Sequence, residues 1–181
     1  MSYKINEDLY IGNTNKQLKD IETNANNIAT NTTNIATILN RGYIAVNYNS
    51  STCQTRTWQF AKISGGQVSL SKGNFTFSSN EVIIGKGISL VLVGGYVSIT
   101  LNGGANWPDF SAVIGHFRNG TKLEDYGVYQ SVVGSPYYFG ATIPMQLIPV
   151  QENDHLILGI NGSKNTDTPV LSAKISILQV E

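Results

Sequence analysis

Leu18, Ile21, Ala25, Ile28, Thr32, Ile35 and Leu39 fall alternately three and four residues apart. This is a seven-residue rhythm, the register in which one helix needs another to cover its seam. With Leu18 as an a position, Ala25, Thr32 and Leu39 are also a, and Ile21, Ile28 and Ile35 are d. The tetrapeptide Asn-Ile-Ala-Thr occurs at 27–30 and again one heptad later at 34–37. β-branched residues at d disfavour the parallel dimer, which prefers leucine there, and tilt the choice toward three strands or more. The other face is mainly Asn and Thr, mediocre helix formers, so such a helix is marginal alone and needs partner strands. The competing reading is a Thr/Asn-rich flexible linker. Three d isoleucines in strict register favour the helix.

After Arg41-Gly42 the rhythm changes to alternating residues, glycines and turns, and stays so to the last residue. Trp58, Phe60 and Ala61–Ile63 alternate, as do Val97, Ile99 and Leu101, and Ile175, Ile177 and Val180. Asn119-Gly120 between two strand-like runs predicts a tight hairpin. Gly94-Gly95 and Asn102-Gly103-Gly104 punctuate other runs as turns. Pro144 and Pro149 put their strand at an edge or beside a bulge. Many short strands at even spacing predict a sandwich or barrel. The chain therefore divides into a leader over 1–17, with a break at Gly12-Asn13, a coiled-coil stem over 18–41 and a β head over 42–181. The leader's Ile5, Leu9, Tyr10 and Ile11 make it either a docking peg or a frayed end.

Bulk composition excludes several classes. Twelve basic and twelve acidic residues balance, and charged residues are 13% of the 181. No basic face or arm points to nucleic acid, and no polybasic segment to a membrane surface. The first ten residues contain no apolar signal segment, and the longest apolar run, Ile88–Val93, is too short to span a bilayer. The expected place is the host cytoplasm or a particle assembled there. Cys53, the single cysteine, can make neither an intrachain disulfide nor a zinc site.

Part of the head resembles a known family. Phe110–Gly120, FSAVIGHFRNG, is similar to the strand and Asn-Gly turn in heads of the complement and tumour-necrosis-factor type. Pro149–Ile160, PVQENDHLILGI, resembles their strand with a Gly-Asp start, with Asn153 in the glycine's place, a residue that tolerates a left-handed turn. Val170–Val180 resembles their closing strand. The resemblance covers about 70 residues and implies a ten-stranded jelly roll that assembles as a three-fold homotrimer. Separately, KINEDLYIGNTNKQLKDIE followed by the Thr/Asn heptads resembles N-terminal segments of tail, neck or head-fibre proteins of phages infecting low-GC Gram-positive bacteria. That implies an N-terminus held by the particle and a head facing outward.

No enzymatic pattern competes. Gly-x-Ser-x-Gly, a Gly-rich phosphate loop and a His-x-x-x-His pair are all missing from the sequence. His116 sits inside a strand-like run and reads as packed or hydrogen-bonded; His155 at a strand start reads as exposed. Glu124-Asp125 and Glu152–Asp154 lie beside turns, where acids are usually solvated. No acidic loop has the ligand density of a dedicated calcium site, so no metal and no cofactor is expected. Sugar binding needs exposed aromatics beside polar groups. The candidates are Trp107 and Asp109 in Asn-Trp-Pro-Asp, and Tyr137-Tyr138 after Ser-Pro, in turn-like segments where binding residues gather. Trp58 reads as core.

The expectation is a mainly β chain with a jelly-roll head on a short trimeric coiled coil, acting as a non-enzymatic virion fibre protein. Its partners would be two further copies of itself, other virion proteins through residues 1–17, and a host cell-surface saccharide. The alternatives are a decoration protein without a receptor site, and a polysaccharide hydrolase, which predicts paired carboxylates about 5–10 Å apart in a cleft.

Overall fold

The computed structural model describes residues 2–55, 59–100, 109–131, 138–162 and 166–181. The chain divides into two compact units, Met1–Asn40 and Arg41–Glu181.

The first unit is one helix, α1 (Ser2–Leu39), about 57 Å long at 1.5 Å per residue. It runs through Gly12-Asn13, where the sequence suggested a break; an isolated glycine costs a helix only about 1 kcal/mol relative to alanine, too little to end it. Leader and stem are thus one element. From Asn15 to Ile38 every side chain is exposed, with Leu18, Ile21, Ile28 and Ile35 each more than half so. The threonines that weaken helix propensity return their hydroxyls to the backbone one turn back: Thr30 to the Asn26 carbonyl, Thr32 to Ile28, Thr33 to Ala29 and Thr37 to Thr33. This satisfies the polar faces locally and leaves the isoleucine stripe bare. The helix is not apolar enough to cross a membrane.

The second unit is an antiparallel sandwich. Its strands are β1 (Tyr43–Thr55), β2 (Ala61–Lys62), β3 (Gly66–Lys72), β4 (Phe75–Ser78), β5 (Glu81–Ile84), β6 (Leu90–Thr100), β7 (Asp109–Arg118), β8 (Thr121–Ser131), β9 (Tyr138–Pro149), β10 (His155–Gly162) and β11 (Thr166–Gln179). One sheet has the order β3-β1-β11-β6-β9; the other runs β4-β5-β10-β7-β8, with β2 added on β10. Alternate residues of each strand meet between the sheets: Val46, Val93, Val97, Ile143 and Ile175 from the first, Ile84, Ile114, Leu156, Leu158 and Ile160 from the second. Cys53 lies among them as a small apolar residue, its thiol donating to the Ala61 carbonyl at 3.3 Å, and burial pushes it up to about 12.

Turn chemistry and strand edges follow the sequence closely. Arg118 pairs with Thr121 across a two-residue turn in which Asn119 and Gly120 have φ of 51° and 75°. Pro149 and Pro144 lie on β9, an edge strand. Gly94-Gly95 is a correction. It is not a turn but a bulge inside β6, where the pairing with β9 slips. A Cβ on Gly95 would sit 2.3 Å from the Lys174 carbonyl oxygen of the neighbouring strand. The glycines permit close strand approach and do not end the strand. Gly115 on β7 and Gly159 on β10 do the same for a side chain: a Cβ on either would press against the Phe60 ring, which lies there edge-on to Phe117.

Candidate functional site

Asp154 is the head's polar anchor. Asn153 turns the chain with φ 68°. Its N–H bonds the Ile84 carbonyl at 2.8 Å, and the Ile84 N–H returns to the Asp154 carbonyl at 2.9 Å. These bonds fix the β9–β10 turn against β5 and drive the Asp154 side chain inward, where it is fully buried. His116 and Arg118, two residues apart on β7, converge on it. His116 Nε2 stands 2.8 Å from Oδ2; Arg118 Nε and Nη2 donate to Oδ1 and Oδ2 at 2.7 and 2.8 Å; the Gln151 N–H donates to Oδ2 at 2.9 Å. Burial opposes ionisation of Asp154, but the hydrogen bonds from Arg118, His116 and Gln151 outweigh it and hold the carboxyl down at about 2. An ionised carboxylate only accepts, so His116 donates from Nε2. The expectation of a solvated acid at 152–154 is overturned for Asp154. The expectation of a hydrogen-bonded His116 holds.

Above this cluster lies a pocket of about 350 Å³ whose walls include His116, Arg118, Glu124, Tyr126, Pro149 and Gln151. β7 and β8 supply the first four residues, the end of β9 supplies Pro149, and the β9–β10 connection supplies Gln151. Arg118 is held by two of its nitrogens, so Nη1 is the one not committed to Asp154. Burial, reinforced by the hydrogen bond to Glu124, pushes Tyr126 up to about 12. The pocket thus presents a donor, a carboxylate acceptor and an aromatic body within one concavity.

A second polar group sits on the same sheet. Glu81 accepts from Lys62 Nζ at 2.8 Å and pairs with His155 Nδ1. Lys62 also donates to the Ser79 carbonyl. Burial works against its ionisation, yet Lys62 and His155 hold Glu81 below the usual carboxylate range. His155 is therefore half-buried and bonded, not simply exposed as its position at a strand start suggested.

The outer face of the five-stranded sheet is unusual for its side chains. Tyr43 on β1 lies opposite Leu178 on β11, Leu178 opposite Leu92 on β6, and Leu92 opposite Leu147 on β9. One row across four neighbouring strands is thus apolar, and Tyr43, Leu178 and Leu147 are exposed. Leu70 and Met145, more than half exposed, extend it at the two edges. Scattered surface leucines are ordinary, but a contiguous stripe marks an interaction face.

Of the saccharide candidates, Trp107 and Tyr137 lie outside the described residues, as does Trp58. Asp109 opens β7 opposite Ser131, and Tyr138 opens β9 opposite Thr100, in different sheets. Nothing brings these four into one described site. Sequence reasoning passed over Arg118 and the pocket. The available signal was His-x-Arg on one strand together with the aspartate of the Gly-Asp-like motif.

No family model matches the chain, and no curated protein matches it. Solved structures do. Murine APRIL, a tumour-necrosis-factor-family jelly roll, aligns with a TM-score of 0.59 and 11% identity, covering 77% of this chain and 99% of that one. The structure of phage PRD1 vertex protein P5 aligns with a TM-score of 0.53 and 12% identity, covering 77% and 97%. The head is a tumour-necrosis-factor-like jelly roll. The strand-and-turn resemblance over 110–120, 149–160 and 170–180 therefore pointed to the right fold, with eleven strands among the described residues where the resemblance implied ten.

Proposed function

We propose that this chain is a phage virion fibre or spike protein, a homotrimer whose helix serves as attachment segment and stem and whose head faces the host surface. The observation that carries the reading is the likeness of the head to PRD1 vertex protein P5, nearly end to end. Two apolar surfaces support self-association. The isoleucine stripe of α1 and, in the Tyr43–Leu178–Leu92–Leu147 row, Tyr43, Leu178 and Leu147 are exposed on a single chain, and identical copies supply identical partners for both. β-branched d positions favour three helices over two. Residues 1–17 would hold the particle, and the head would bind a host cell-surface saccharide. Weak sites repeated three times per fibre and many times per particle raise overall binding by roughly two to four orders of magnitude.

The test is the purified protein. Sedimentation equilibrium should give three times the 19.6 kDa chain mass, and the soluble trimer should compete with phage for adsorption to host cells. A single-chain mass at micromolar concentration would sink the fibre reading; a trimer that leaves adsorption untouched would favour a decoration protein.

A further inference from the structure

We propose that the pocket between β7, β8 and the β9–β10 turn is a carbohydrate subsite that takes one uncharged pyranose unit. This deepens the host-saccharide reading above and rests on it. The volume, about 350 Å³, falls at the small end of ligand pockets and suits one sugar ring better than an extended chain. Its polar groups have both signs. The Glu124 carboxylate accepts from hydroxyls, Arg118 Nη1 donates to them, and the Gln151 side-chain amide can do either. Neighbouring donors and acceptors are what vicinal hydroxyls require. Leu123 and Pro149 supply apolar wall for the C–H face of the ring.

Charge decides the ligand class. Among the described residues of the lining Arg118 is the one permanent cation, and the buried Asp154 beneath it offsets that charge. Glu124 remains, so the mouth offers no net attraction to phosphate or an acidic sugar. The same Asp154 fork holds Arg118 at two points before a ligand arrives, so little ordering is left to be done on binding. Glu124 is likewise tied to Tyr126. The site is preorganised and open, its few polar groups set in a mainly apolar wall, which fits weak single-site binding amplified by repetition.

Saturation-transfer NMR on the full-length protein, with glucose, galactose and N-acetylglucosamine as neutral probes and inorganic phosphate and choline as charged ones, tests the assignment. At least one sugar should bind with a Kd in the millimolar range, and phosphate should not compete. Glu124→Gln, which keeps size and loses the charged acceptor, should weaken sugar binding about tenfold or more with the melting temperature unchanged. Gln151→Ala should weaken it less. Sugar binding that both variants leave intact overturns the pocket while the host-saccharide reading stands with its site elsewhere. Binding confined to phosphate or choline overturns the assignment outright. Failure of all three sugars in a protein that still blocks phage adsorption also removes the pocket; failure of both removes the receptor reading with it.

Discussion

Among the described residues, only His116 and Asp154 are buried polar side chains, and they are bonded to each other. A buried carboxylate persists only when its charge is met, and Asp154 meets three donors besides the imidazole. The consequence is a pH dependence of known sign. Its carboxyl sits at about 2 in the folded chain against an ordinary 3.8, so its stabilising contribution is fully present above about pH 4 and is lost as pH falls through 2. The difference is on the order of 2 kcal/mol. Urea unfolding between pH 2 and 6 should show the wild type losing this much more than Asp154→Asn over the same range, and the variant should be less stable at pH 7. Equal pH profiles would mean that Asp154 titrates alike folded and unfolded. At this scale the sequence was legible where backbone conformation dictates residue type. Asn119, Gly120 and Asn153 all have positive φ, and each was read as a turn. Burial of Asp154 was not legible, because an acid beside a turn looks the same whether or not an arginine from a distant strand reaches it.

Elements were legible where period and length agree. The alternation of Val97 with Ile99 and of Ile175 with Ile177 falls within β6 and β11, and two paired strands flank Asn119-Gly120 as the turn signal required. Two boundaries were not legible. Gly94-Gly95 and Gly12-Asn13 both looked like punctuation, yet β6 bulges and α1 continues. Glycine marks either a chain reversal or a close approach, and only the neighbouring strand, here the Lys174 carbonyl against Gly95, tells which. For α1 the open question is what covers Ile21, Ile28 and Ile35. Each is more than half exposed on the single chain, and a full burial is worth roughly 1.5–3 kcal/mol per side chain. In a three-stranded seam the d layers add across copies. Replacing Ile28 and Ile35 together with Asn should lower the trimer's melting temperature and raise the concentration at which it dissociates by at least tenfold. Unchanged sedimentation and melting would show that the helix contributes nothing to assembly.

For the whole molecule, composition and association are one problem. The chain has no disulfide to draw on, since its single cysteine is buried and free, and its surface carries few charges. The sandwich nevertheless leaves an apolar row across β1, β11, β6 and β9, while its opposite sheet keeps Phe60 folded over Gly115 and Gly159. Phe60 thus covers part of one outer face, while the apolar row on the other is left open. The trimer proposed above, burying the open face, would account for Leu147 and Leu178 in water-facing positions, and it predicts where charge is not tolerated. Leu147→Glu with Leu178→Glu places two like carboxylates per chain in the shared face, while touching none of the core between the sheets. The double variant should therefore keep its near-ultraviolet and far-ultraviolet circular dichroism yet sediment as a single chain, and it should retain monomeric sugar binding at the Glu124 pocket while losing the avidity that adsorption requires. A double variant that still forms trimers would place the head's contact surface elsewhere and leave the helix as the sole clamp.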